Sequence, residues 1–345
     1  MATTFSSLPI IDLSPLHTAQ LAENEIATLS KQFGEVFSTT GFAYLVNPPL
    51  SFDHEEMFAV AREFFALPTG QKMQLAKRSF RPTNENTYRG YFPTQPHLAS
   101  DNLKEGFEIG SAEFSERPAK PQKIVLSEPN VWPNKDSFSA QSKLEQMYDE
   151  LQSLAAKLLS LLAVSLGKPP DAFSSWLTDS LSTLRLLHYP ALSRGQEYTH
   201  DESVKLSCTP HTDSGILTLL HQDSTGGLEV LNASGEWVSA PYVPGSIVVN
   251  IGDLMTKVSG GRFTATMHRV RAPAPKSQSQ SQSPNDGFGR FSIPFFFEPG
   301  EDCVIVPALG DGEAVVYGEH VRRKMSTWVE FQEDSGYDTG TTEEI

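Results

Sequence analysis

The sequence predicts an all-β core with helices around it, a sandwich or barrel of short strands, on three observations. From Thr183 to about residue 306 the apolar residues recur with a period of two, as a half-buried strand requires. Turn signals (Thr225-Gly226-Gly227, Ser234-Gly235, Pro244-Gly245, Ser259-Gly260-Gly261) cut that region into many short, closely spaced runs. Upstream the spacing is helical instead, most clearly in the stripe Leu144, Met147, Leu151, Leu154, Leu158 and Leu162.

Residues 8–13 read as a short strand closed by Ser14-Pro15. A helix is expected over 18–39, where Leu21, Ile26, Leu29, Phe33, Val36 and Phe37 keep helical spacing until Gly41 stops it. A strand over 41–46 follows, then helices over 52–65, ending at Leu67-Pro68, and over 69–75. Residues 77–133 carry many Pro, Asn, Ser and Gly punctuators and read as loops that line a site or form a lid. The leucine stripe belongs to a long helix over 135–166, ended by Gly167-Lys168-Pro169-Pro170. Strands are expected at 184–190, 216–220, 228–231, 237–239, 246–251, 267–271, 291–297 and 302–306. The Ser/Gln tract 276–283 lacks any apolar residue and reads as a mobile surface loop. A helix over 318–331 and a polar tail finish the chain. Residues 1–134 thus form an N-terminal region of helices and lid loops. Residues 135–345 hold the long helix, the β core at about 180–306 and the C-terminal helix, and the two regions are expected to form one structural unit.

The 345 residues are 39% hydrophobic and 20% charged, ordinary values for a globular chain with a large core. A net charge of −15 without a basic stripe argues against nucleic acid and against an anionic membrane surface. Residues 1–8 show neither the basic nor the apolar part of a secretory signal, and no apolar run is long enough for a bilayer. Cys208 and Cys303 lie far apart without metal-type spacing. A cytoplasmic protein without a disulfide framework is expected.

Within the β region, Cys208-Thr209-Pro210-His211-Thr212-Asp213 places a histidine and a carboxylate two residues apart, on one face if the segment is extended. Alone, an H-x-D is more often a polar strand end than a ligand pair. His268, on a strand leaving a Gly-rich turn, offers a third ligand. Two histidines and one carboxylate on one face of an iron leave positions open for cosubstrate and O2. Of the other histidines, His188 and His221 read as structural, and His17, His54, His97, His200 and His320 fall in helices or loops. Arg290 and Ser292 share a strand face and suit a carboxylate. Tyr189 could donate a further hydrogen bond from a facing strand, although Arg290 alone would more often be a surface ion-pair residue.

These residues stand among Gly226-Gly227-Leu228, Val248-Val249-Asn250-Ile251-Gly252-Asp253, His268-Arg269-Val270 and Arg290-Phe291-Ser292. Pro9-Ile10-Ile11-Asp12-Leu13, Phe64-Phe65-Ala66-Leu67-Pro68, Arg89-Gly90-Tyr91 and Trp132-Pro133 precede them. In this order the motifs resemble the 2-oxoglutarate/Fe(II)-dependent dioxygenases of the isopenicillin N synthase-like superfamily, fungal members most of all, over nearly the whole chain. The resemblance implies a double-stranded β-helix, or jelly-roll, flanked by N-terminal helices and a C-terminal helix. It implies Fe(II) on His211, Asp213 and His268, with 2-oxoglutarate clamped by Arg290, Ser292 and Tyr189. O2 is then the oxidant and ascorbate an accessory reductant. Oxidative decarboxylation to succinate and CO2 would drive hydroxylation or desaturation of a substrate. Two departures are an interval from His268 to Arg290 lengthened by the Ser/Gln tract, and Leu187 where plant relatives often have Asn.

For the substrate side, period-two reasoning puts Arg185, Phe296 and Glu298 on the clamp's face, and the lid adds Phe107 and Ile109. Against these stands core filling for Phe296 and Ile109, while Arg185, if buried, needs some partner. A small planar molecule, flavonoid-like or another secondary metabolite, is the first expectation. A pyrimidine whose methyl group is hydroxylated is the second. The competing readings are an oxidase of the same fold that needs no 2-oxoglutarate and a silent binding module. A monomer or weak homodimer is expected.

Overall fold

The computed structural model describes residues 3–18, 21–95, 104–113, 124–190, 206–272 and 289–325. The first half of the chain supplies β1 (Ile10–Asp12), α1 (Glu23–Thr39), β2 (Phe42–Val46), α2 (His54–Phe65), α3 (Thr69–Gln74), β3 (Gly90–Phe92), β4 (Glu105–Ile109) and α4 (Gln141–Ser165). The second supplies β5 (Thr183–Pro190), β6 (Leu206–His211), β7 (Leu217–Gln222), β8 (Leu228–Leu231), β9 (Trp237–Ser239), β10 (Ile247–Ile251), α5 (Asp253–Val258), β11 (His268–Arg271), β12 (Gly289–Phe297), β13 (Val304–Ile305), β14 (Val315–Val316) and α6 (Tyr317–Met325).

The strands β5 to β12 make the expected jelly-roll. β10, β7, β12 and β5 lie side by side in one sheet, and β6, β11, β8 and β9 form the other, with every pairing antiparallel. β1 and β2 extend the first sheet at one edge and β4 and β3 at the other, giving eight strands. The period of two decides what each face touches. Leu184 and Leu186 of β5, Leu217 and Leu219 of β7, Ile247 and Val249 of β10, and Phe291 to Phe297 at alternate positions of β12 pack on α1, α2 and α4 in the large core. The alternate residues Phe42, Tyr44 and Val248 meet Cys208, Leu228, Val230 and Val270 of the small sheet, which closes the barrel.

Several expectations need correction. The stretch 77–133 is more than lid, because β3 and β4 within it pair with each other and with β5. Their few residues and many neighbouring breakers hid them. α1 begins at Glu23, because residues 14–17 form a separate 3-10 turn and Glu25 caps the Ala22 N–H at 2.9 Å. α4 begins at Gln141, since Asn134 closes a turn over 134–138 by accepting from Asp136, Ser137 and Phe138. α5 was not anticipated. The Ser/Gln tract, the last part of the expected C-terminal helix and the tail lie outside the described residues. No helix among the described residues is long and apolar enough to cross a membrane.

A buried polar cluster ties α3 to the sheet. Glu105 accepts from Lys72 Nζ at 2.8 Å, His188 Nδ1 at 2.7 Å and Tyr91 Oη at 2.6 Å. This joins α3, β3, β4 and β5. Burial pushes the Glu105 carboxyl up, but His188, Lys72 and Tyr91 outweigh it and hold it below the ordinary value of 4.5. A depressed folded value means that this stability is complete above about 4.5 and is lost as pH falls through the folded value. Glu105→Ala strands a buried lysine and is expected to cost about 3–5 kcal/mol in urea unfolding at pH 7. A change under about 1 kcal/mol would contradict this account of the cluster.

Candidate active site

β6 ends at His211, which sits opposite His268, the first residue of β11, so the two imidazoles are cross-strand neighbours. Their ring centroids are 4.2 Å apart. Asp213 is not on that strand, contrary to the one-face expectation, but reaches back from the following turn. Its Oδ1 lies 3.9 Å from His211 Nε2 and 3.8 Å from His268 Nε2. One ligand atom from each residue falls within 4.8 Å of the others.

Each ligand is oriented by a second contact. Nδ1–H of His211 donates to the Thr209 carbonyl at 2.8 Å, and Nδ1–H of His268 to the Thr266 carbonyl at 3.1 Å. A carbonyl can only accept, so these bonds fix the tautomer and leave each Nε2 lone pair for a metal. Asp213 Oδ2 accepts from Thr218 Oγ1 at 2.6 Å and Asn250 Nδ2 at 2.8 Å, which leaves Oδ1 free to coordinate. Burial pushes the Asp213 carboxyl up, yet His268, His211, Thr218 and Asn250 together hold it below its ordinary value. Burial, with His211 alongside, pushes His268 down to about 4, so its imidazole is neutral at pH 7. Gly41 permits the close packing beside it. At φ +72°, an added Cβ there would stand 2.3 Å from the Thr264 carbonyl and 2.4 Å from Thr266 Oγ1.

Sequence reasoning passed over Thr218 and Asn250 as supports. The signal was present, since both are polar residues at inward positions of otherwise apolar strands. Thr218→Val and Asn250→Leu are each expected to weaken Fe(II) binding by about 10- to 100-fold in anaerobic titration. Affinity equal to wild type would remove them from the metal's support.

The Arg290 guanidinium is 1% exposed. Its Nε donates to the Gly226 carbonyl at 2.6 Å, and among the described residues Nη1 has no hydrogen-bond partner. A buried cation with an unsatisfied donor fits an anion, as the distal carboxylate of 2-oxoglutarate would be. Ser292, also buried, sits two residues along on the same face. Tyr189 meets the clamp with its ring, whose centroid is 4.8 Å from the guanidinium carbon. Leu187 packs with Phe92 and Tyr189, an apolar wall in place of a polar contact.

Farther along the same face, Phe296 stands opposite Thr218 in register and so lies beside the support of Asp213. Arg185 lies 5.1 Å from the Phe296 ring and 5.6 Å from that of Phe92. It pairs with Glu108, which also binds Lys77 at 2.5 Å. Thus Arg185 has an internal partner that the sequence reading lacked, because the register of β4 was unknown.

Phe107 and Ile109 are corrected. Both belong to the large core, and Phe107 stacks on Phe64 at 4.1 Å. Alternation along β4 turns them toward the helices while Glu108 faces the barrel. Glu298 is likewise enclosed, 3% exposed, and accepts from Tyr317 Oη at 2.6 Å. Burial pushes its carboxyl up to about 7.

Two imidazoles and a carboxylate around one point, on a jelly-roll with an unsatisfied buried arginine, define the class of mononuclear non-haem iron oxygenases that use an acid cosubstrate. Residues 182–299 match the 2OG-Fe(II) oxygenase superfamily, and residues 8–135 match the N-terminal region described as non-haem dioxygenase in morphine synthesis. A homoarginine-6-hydroxylase of Glycine max is 31% identical, over 95% of this chain and 98% of its own. Clavatol oxidase of Penicillium crustosum is 31% identical, over 92% and 96%. The solved structure of a full-length Neurospora crassa thymine 7-hydroxylase with alpha-KG and thymine superposes with a TM-score of 0.72 at 28% identity, covering 93% of this chain and 97% of that one. The chain belongs to the 2OG-Fe(II) oxygenase superfamily. It is a non-haem Fe(II) enzyme dependent on 2-oxoglutarate, and the readings as a cosubstrate-free oxidase or a silent binding module give way.

Proposed function

We propose that the protein oxidises a small planar organic molecule, by hydroxylation or desaturation, coupled to conversion of 2-oxoglutarate to succinate. In this reading His211, Asp213 and His268 hold Fe(II), and Arg290 with Ser292, walled by Tyr189, holds the distal carboxylate of the cosubstrate. Bound there, iron with 2-oxoglutarate and O2 supplies the oxidising power that removes a substrate hydrogen. The chain's own residues orient both partners and exclude water.

The observation that carries the substrate class is the Phe296–Arg185 wall beside Asp213's support. An aromatic face and a guanidinium on one barrel wall suit a flat, polar ring. A flavonoid-like polyphenol or another secondary metabolite is the first candidate. A pyrimidine methyl group is the second, and the fold match to the thymine-bound Neurospora crassa enzyme favours it specifically. A planar ring needs roughly 7 Å between the surfaces that sandwich it, two ring-stacking distances of about 3.5 Å. Arg185 stands closer to Phe296 than that, so a substrate would have to enter beside the pair or displace the guanidinium. β1 to β4 complete the major sheet, and the N-terminal and catalytic regions work as one unit in this reading. The free thiols Cys208 and Cys303 fit a cytoplasmic protein, acting as a monomer or weak homodimer.

The test supplies Fe(II), ascorbate, O2 and 2-oxoglutarate with a panel of flavonoids, other planar phenols and pyrimidines, following succinate and product mass. The reading expects one panel member to raise succinate in step with a product that has gained one oxygen atom or lost two hydrogens. Turnover of a non-planar amino acid with no planar compound accepted would sink the substrate class.

A further inference from the structure

Beyond His211 the β6–β11 ladder has ended, so no strand pairing holds the segment that carries Asp213. Its backbone carbonyls are bonded from elsewhere. Lys324 Nζ donates to the Thr212 carbonyl at 2.8 Å and reaches Thr212 Oγ1 at 3.2 Å. The Asp253 N–H donates to the Asp213 carbonyl at 2.8 Å. The Ser214 carbonyl receives Leu254 N–H at 3.3 Å and His320 Nε2 at 3.2 Å. Lys324 also pairs with the Asp253 carboxylate, which locks the two supports together.

Tyr317, His320 and Lys324 are spaced at i, i+3 and i+7 along α6 and therefore share one face. That face points at the ligand segment, with Tyr317 anchored to Glu298 just past the end of β12. Thr212 lies between two metal ligands, so the direction of its peptide groups sets where both His211 and Asp213 project. α6 lies outside the jelly-roll, and its Lys324 bridges the turn to the start of α5.

We propose that α6 braces the metal segment and that Lys324 is a positioning residue which sets Fe(II) affinity. This rests on the iron reading given above. It adds that a residue outside the three candidate ligands, carried on α6, controls how well they converge. Loss of the brace frees the Thr212 carbonyl and hydroxyl, and the segment that carries the ligands must be ordered again whenever iron binds.

The experiment is anaerobic Fe(II) titration of the full-length apoprotein with 2-oxoglutarate present, alongside its metal-free melting temperature. Lys324→Met is expected to raise the Fe(II) dissociation constant about tenfold or more, with an apoprotein melting temperature close to wild type. Lys324→Arg, which keeps a donor and the charge, is expected to recover most of the affinity. Wild-type affinity in Lys324→Met overturns the proposal, and so does weakened binding that Lys324→Arg does not restore. If Lys324→Met does not fold, Asp253→Asn loosens the same lysine, and unchanged iron affinity there overturns it equally. Failure of the wild-type protein to bind iron would instead overturn the iron reading itself, so the two failures are distinguishable.

Discussion

His268→Ala is expected to lower Fe(II) affinity by more than about 100-fold and to abolish succinate formation. Changing a residue that merely supports a metal ligand already costs about 10- to 100-fold, and this change removes a ligand outright. His268 also stands closest to both partners, beside His211 across the ladder and 3.8 Å from Asp213 Oδ1. Its loss leaves the Asp213 carboxylate buried against one imidazole. The fold should survive, because His268 opens a short strand and contacts Phe42 edge-on at 5.2 Å without anchoring the large core. The check is anaerobic Fe(II) titration beside a circular dichroism spectrum. Iron bound at wild-type strength by a folded variant would remove His268 from the metal site.

The second large effect is expected from Arg290→Met. This change removes the cation whose Nη1 is buried without a partner among the described residues. Truncating one member of a buried, hydrogen-bonded charge pair costs about 2–5 kcal/mol, which is roughly 30-fold or more in 2-oxoglutarate affinity. Fe(II) binding in the absence of cosubstrate should be nearly unchanged, because Arg290 is not among the ligands. The apoprotein should lose little stability, since an unsatisfied buried donor contributes little to the fold. The loss of the Gly226 bond and of packing on Tyr189 is offset by relief from that burden. Thermal shift separates these effects. Adding 2-oxoglutarate to the iron-loaded protein should raise the wild-type melting temperature further and shift that of Arg290→Met much less at the same concentration. Equal shifts in both proteins would place the cosubstrate elsewhere.

Strands such as β8 and β12 were legible in the sequence as short apolar-rich runs set off by turn signals, although both of their faces are largely buried. So were α2 and α4, whose apolar stripes meet the sheet. β3 and β4 were not, because short strands inside a breaker-rich stretch leave no periodic signal, and pairing with β5 decides them. That gap had a functional consequence. Without the register of β4, Phe107 and Ile109 were assigned to the substrate side, although the alternation turns them toward the helices. It also concealed Glu108 as the partner of Arg185. The candidate metal residues were legible from type and order, while the geometry that makes them a set was not. Asp213 acts from a turn beyond the strand end, and its orientation by Thr218 and Asn250 depends on β7 and β10 lying beside that turn. Lys324 is the extreme case, more than a hundred residues downstream of the segment it holds.

The central claim is that His211, Asp213 and His268 bind one Fe(II) on which 2-oxoglutarate assembles. Anaerobic addition of Fe(II) to apoprotein with 2-oxoglutarate, followed by visible absorption, tests it most directly. The account predicts a metal-to-ligand charge-transfer band that saturates at one iron per chain. Folded protein that shows no such band at saturating iron and cosubstrate would contradict it.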